Sequence, residues 1–161
     1  MKVIFNKYGG LSTIQDREIL VQDSDGVNFL DVYYLDDDGQ LVDPTVNLVT
    51  AMFRRSDGFV IGEIHLTPLT DANGLKFWRF VFTKESGTLA VAGELEITIR
   101  LKVAEYDFGR ILYTKQRVGG LVVANVLRAI STPDEYNAYE ARIFVLEEEL
   151  KLIKQQLELI T

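Results

Sequence analysis

The sequence has no cysteine. Disulfides and thiolate metal sites are therefore excluded, in keeping with folding in a reducing cytoplasm. It has one histidine, His65. A metal or general-base role for it would need partners from elsewhere in the chain, so a hydrogen-bonded structural histidine is the expectation. There is no Gly-x-Ser-x-Gly elbow and no phosphate-cradling Gly-Lys-Ser/Thr loop. Basic residues are outnumbered, 17 against 24 acidic, and the net charge of −7 argues against nucleic acid and against anionic membrane surfaces as partners. No apolar run reaches about 18 residues and no basic, apolar leader opens the chain, so neither a membrane span nor secretion by the general route is expected. What remains, 47% apolar and 25% charged, is ordinary soluble globular composition. The residues ahead of the C-terminal stretch suffice for one domain with a core.

That C-terminal stretch, 132–161, carries the most regular pattern. Apolar residues fall at Tyr136, Tyr139, Ile143, Leu146, Leu150, Ile153, Leu157 and Ile160, in alternating steps of 3 and 4. The mean period is about 3.5, which keeps an apolar seam on one line as helices supercoil. Thr132 can cap the helix, Pro133 suits its first position and Glu135 completes a capping box. In a parallel coil Arg142 faces Glu147 of the neighbour and Glu149 faces Lys154, both attractive pairs that bias strand direction. Ile143 with Leu146 favours two strands, whereas Leu150 with Ile153 and Leu157 with Ile160 favour three or four. Val145, Leu152 and Leu159 add a second apolar stripe, which a clean two-stranded coil leaves wet. The stripe is expected to serve as a docking surface or to close a wider bundle.

The chain ahead of the helix reads as β. Strands are expected at 3–5, 18–22, 29–35, 46–54, 59–66, 75–83, 94–103 and 111–118. Turns are expected at Asp23-Ser24-Asp25-Gly26, Asp36-Asp37-Asp38-Gly39, Ser56-Asp57-Gly58 and Asn73-Gly74. The clearest strand alternates Glu94, Glu96, Thr98, Arg100 and Lys102 with Leu95, Ile97, Ile99, Leu101 and Val103, one face to the core and one to water. Gly119-Gly120 is expected to break the pattern, and 121–130 reads as a last strand or a short helix. Short strands with turns at roughly ten-residue spacing point to an antiparallel, immunoglobulin-like β-sandwich. The expected organisation is a β-sandwich over 1–120, a linker over 121–131 and a parallel coiled-coil stalk over 132–161.

Candidate chemistry is sparse. Asp36, Asp37 and Asp38 could offer oxygens to Ca²⁺, but Gly39 comes too early for an EF-hand loop and no Glu stands at its twelfth position, so a turn is expected. Asp23 and Asp25 read the same way. Glu94 and Glu96 share a strand face in the manner of a glycosidase pair, yet solvated face residues are far commoner there. Phe77, Trp78, Phe80 and Phe82, with Tyr33, Tyr34 and Tyr106, are expected to fill the core; a sugar-binding protein would expose some of them. No catalytic residue, cofactor or metal site is expected.

The order of features over residues 1–120 resembles the N-terminal domain of phage baseplate upper proteins, an adaptor family of tailed phages. A strand ending in Asp-Gly, with Leu41 and Asp43 behind it, precedes a strand through Ala51-Met52-Phe53-Arg54-Arg55 that ends in Asp57-Gly58. Later Ala92-Gly93-Glu94-Leu95-Glu96-Ile97 enters a strongly alternating strand, and Gly109-Arg110-Ile111 begins the hairpin return. In that family the sandwich is followed by a helical coiled stalk and then by a further domain that holds a receptor-binding protein. This sequence ends at Thr161, inside the stalk. The resemblance implies a virion structural protein made in the host cytoplasm, a homotrimeric head-fibre, tail-fibre or baseplate component with other virion proteins as partners. The alternative is a multivalent module that binds a host glycan.

Overall fold

Period-two alternation decides which side chains meet, and most of the expected strands form. The computed structural model describes residues 1–15, 19–129 and 133–160. Its strands are β1 (Lys2–Phe5), β2 (Leu11–Gln15), β3 (Leu20–Val21), β4 (Phe29–Tyr34), β5 (Leu48–Arg54), β6 (Val60–His65), β7 (Thr67–Thr70), β8 (Lys76–Val81), β9 (Gly93–Asp107) and β10 (Arg110–Leu127), followed by helix α1 (Pro133–Ile160). They form two sheets in the orders β2-β1-β4-β8-β7 and β3-β10-β9-β5-β6. The chain is thus mainly β and sandwich-like.

The sheets are mixed, which corrects the expected all-antiparallel arrangement. β1 runs parallel to β4, pairing Val3 with Val32, and β10 runs parallel to the two-residue β3, pairing Val126 with Leu20. After β2 the chain crosses to the edge of the second sheet as β3. It then returns beside β1, and a parallel neighbour requires such a crossover. Two strands were not expected. β2 has only Leu11 and Ile14 as apolar residues, and β7 contains Pro68. β7 is an edge strand, where a missing N–H is tolerated.

The core lies between the inner faces of the two sheets. Val3, Phe5, Leu30, Val32, Trp78 and Phe80 come from one sheet, and Val49, Ala51, Phe53, Leu95, Ile97 and Ile99 from the other; all are buried. Phe53 and Phe80 meet across the layer with ring centroids 4.8 Å apart. β9 turns Leu95, Ile97, Ile99 and Leu101 inward, as its alternation predicts.

Gly119 and Gly120 do not break the chain; β10 runs through both. At Gly120 the small size serves close approach: a Cβ there would lie 2.7 Å from Cε1 of buried Phe5, whereas one on Gly119 would lie closest to the movable end of the Gln116 side chain. The stretch 121–127, expected within a linker, is therefore the second half of a central strand. The boundary moves accordingly: the chain divides into two units, Met1–Arg128 and Ala129–Thr161.

The aspartates expected in turns make turns. Asp36 Oδ1 accepts hydrogen bonds from the backbone N–H groups of Asp38 and Gln40, both at 2.9 Å, and Gly39 has φ 76°. Asp71 holds the β7–β8 loop the same way, accepting from Asn73 and Leu75 at 2.9 Å. The Leu75 N–H is the largest influence lowering the Asp71 pKa. Asp25 Oδ1 accepts from the N–H of Lys84 at 3.0 Å.

Candidate interaction surfaces

Helix α1 begins at Pro133, the residue expected at its first position. The capping residue Thr132 lies outside the described residues, as do the side chains of Glu135, Tyr136, Tyr139 and Ile160. The remaining seam positions, Ile143, Leu146, Leu150, Ile153 and Leu157, keep 53–58% of their surface open in the single chain. The second stripe is open too: Val145, Leu152 and, at 87%, Leu159. A helix with this much apolar surface in water has not completed its burial, because a protein helix gains most of its stability by packing an apolar face.

The aromatic set divides in a way the sequence did not show. Trp78, Phe80, Phe82 and Tyr34 belong to the core. Tyr33 and Phe77 are buried on the outer face of their sheet instead, stacked with centroids 5.0 Å apart. Lys2 Nζ caps Tyr33 at 4.4 Å from its centroid, and the Arg79 guanidinium lies 4.4 Å from that of Phe29. Arg79 also grips Asp31 with two hydrogen bonds of 2.7 and 2.9 Å. Burial, then the charge of Asp71, pushes the Tyr33 hydroxyl up to about 12. Cations and a stacked neighbour cover these rings, so they offer no open platform to a sugar. Tyr106 departs from the expectation altogether and is exposed.

His65, expected as a hydrogen-bonded structural histidine, is exposed on β6 opposite Thr50. Glu94 is exposed and Glu96 half-buried; both line a shallow groove with Arg54, Arg55 and Ser56. On the outer face of the second sheet, Glu63 collects partners instead. Its Oε1 accepts from Lys102 Nζ at 2.7 Å and from Thr50 Oγ1, with Arg100 at 3.5 Å. The Lys102 hydrogen bond, followed by that of Thr50, lowers its pKa to about 2. Lys102, Thr50 and Glu63 stand on three neighbouring strands, which is why their separation in sequence gave no sign of the cluster.

The β9–β10 hairpin is longer than expected. Pairing between β5 and β9 ends at Leu48 and Lys102. The side-chain amide of Asn47 then donates to the carbonyl of Ala104 at 2.9 Å and accepts from its N–H at 2.7 Å, standing in for one further strand residue. β9 and β10 continue as a two-stranded ribbon to Asp107 and Arg110. Phe108 and Gly109 close it at positive φ, 49° and 75°. Phe108 is 98% exposed, and Tyr106, Ile111, Leu112 and Tyr113 are exposed beside it.

No family model matches the sequence, and the comparison with curated proteins finds no match. Among solved structures the chain is similar to the N-terminal domain of phage TP901-1 ORF48, at 10% identity and a TM-score of 0.42, over 79% of this chain and 95% of that one.

Proposed function

We propose that the chain is a non-enzymatic structural component of a phage particle, a homo-oligomeric fibre or adaptor. In this reading the helix is a parallel coiled-coil stalk that gathers three copies, and the β-domain is the head that meets other virion proteins. The observation that carries it is the row of open apolar side chains Ile143, Leu146, Leu150 and Ile153 along one line of α1. Such a row gains stability in water when another apolar surface covers it, and its heptad spacing suits a neighbouring helix. The placement on a phage particle rests on the sequence resemblance over residues 1–120. The glycan-binding alternative is the weaker reading: of the seven aromatics that could form a sugar platform, Tyr33, Tyr34, Phe77, Trp78, Phe80 and Phe82 are buried, and Tyr106 alone is exposed. Immunogold labelling of purified particles of the phage that encodes the chain tests the reading. Label at a fixed place on capsid or tail is expected. A chain found only in the soluble fraction of infected cells, with no label on particles, would overturn it.

A further inference from the structure

The ribbon at the end of β9 and β10 has two open backbone edges. Among the described residues, no strand borders β9 beyond Ala104, and β10 has β3 on its far side only at Val126 and Leu127. An open edge is a template for pairing with another strand, and edges are commonly guarded by charges that repel a second copy. These charges do the opposite. The β9 edge carries Glu105 and Asp107, and the β10 edge carries Arg110 and Lys115. The exposed apolar residues Tyr106 and Ile111 stand opposite each other on the ribbon's other face.

We propose that the ribbon is a contact between copies of this chain, with the β9 edge of one copy lying along the β10 edge of the next. Hairpins related by rotation about an axis along their length all point the same way. β9 of one copy then runs antiparallel to β10 of its neighbour, as it does to its own β10. At the levels the hairpin itself keeps, this direction brings Asp107 of one copy opposite Arg110 of the next and Glu105 diagonal to Lys115, and opposite charges on neighbouring strands attract. The contact is head-to-tail, and rotation closes it into a ring. It rests on the reading of the chain as a homo-oligomer.

The absence of cysteine allows a clean test in the full chain. Two variants, Tyr106→Cys and Ile111→Cys, are made with tags of different size, then mixed, assembled and oxidised. A disulfide between the two chains is expected only in the mixture. Adding Arg110→Glu and Lys115→Glu to the Ile111→Cys chain should lower its yield about fivefold. Adding Glu105→Lys and Asp107→Lys to the other chain should restore it. Light scattering on the same samples separates the outcomes. Oligomer mass without a mixed disulfide overturns this contact, leaves the ribbon to another virion protein and preserves the helix reading. A disulfide in the Tyr106→Cys variant alone shows a two-fold contact and overturns the ring. Monomer mass overturns both readings.

Discussion

Placing polar amides in the helix seam should take the oligomer apart. Leu150 and Ile153 sit next to one another on the seam, and each leaves 53% of its surface open in the single chain. Full burial of such a side chain is worth about 1.5–3 kcal/mol, so covering the open half contributes about 1 kcal/mol per residue. Two residues in three chains sum to about 6 kcal/mol, or roughly four powers of ten in the assembly constant. Leu150→Asn with Ile153→Asn removes that contribution. It also buries amides that cost about 1–3 kcal/mol each where no partner reaches them. A control with Glu148→Asn and Lys151→Asn lowers helix propensity on the opposite face and leaves the seam intact. Light scattering after size exclusion reads the result directly. The wild type and the control should elute as one oligomer and the seam variant as a single chain, with helical circular dichroism falling alongside. An unchanged mass in the seam variant would refute the coiled-coil argument. Loss of mass in the control as well would show that propensity, not burial, holds the assembly.

Two further outcomes follow from the β-domain. Glu63 has its pKa lowered from 4.5 to about 2. It therefore contributes stability that is complete above about pH 4.5 and is lost as pH falls toward 2. At face value the shift is worth about 3 kcal/mol, and screening of a side chain that is 31% exposed leaves about 1–2 kcal/mol. Thermal melts should show Glu63→Gln less stable than wild type at pH 7 by that amount and equal to it near pH 2; a constant gap across the range would contradict the assignment. Gly120→Ala should destabilise by about 1–3 kcal/mol, because its Cβ must displace the ring of Phe5. Gly74→Ala meets no atom within 4 Å and has only the strain of its φ of 80° to bear. Denaturant melts that rank Gly120→Ala as the milder change would contradict the close-approach explanation.

Much of the β-domain was legible because alternation encodes which face a side chain takes. Leu95, Ile97, Ile99 and Leu101 went inward for that reason. Alternation does not encode which strand lies alongside, so the parallel pairs β1–β4 and β3–β10 could not be read from it. Glycine is ambiguous in the same way. At Gly39 and Gly74 it supplies a positive φ for a turn, and at Gly120 it makes room for a ring from a strand far earlier in the chain. Only knowledge of where Phe5 lies separates the two. The outer-face burial of Tyr33 and Phe77 depends on Lys2, Asp31 and Arg79 arriving on neighbouring strands. An apolar stretch such as Phe77 to Phe82 reads simply as core until those cations are placed.

The helix raises a different question, because its pattern was plain and its apolar surface is wider than a seam. Seven residues separate Val145, Leu152 and Leu159 from one another, so they form their own line beside the seam, with Arg142 and Glu149 between the two. All three are open in the single chain. A two-stranded coil buries its seam and brings its partner no nearer to this second line. Each added helix closes the bundle around the flanking positions and moves the covered arc toward Val145 and Leu152. The charges at Arg142 and Glu149 are compatible with that geometry, since in a parallel coil each would face an opposite charge, Glu147 or Lys154, on the neighbour. The width of the apolar arc is thus the physical reason to favour an order above two. The same width leaves Leu159, the most open of the three, as the place where a further helix or another virion protein would gain most by covering it.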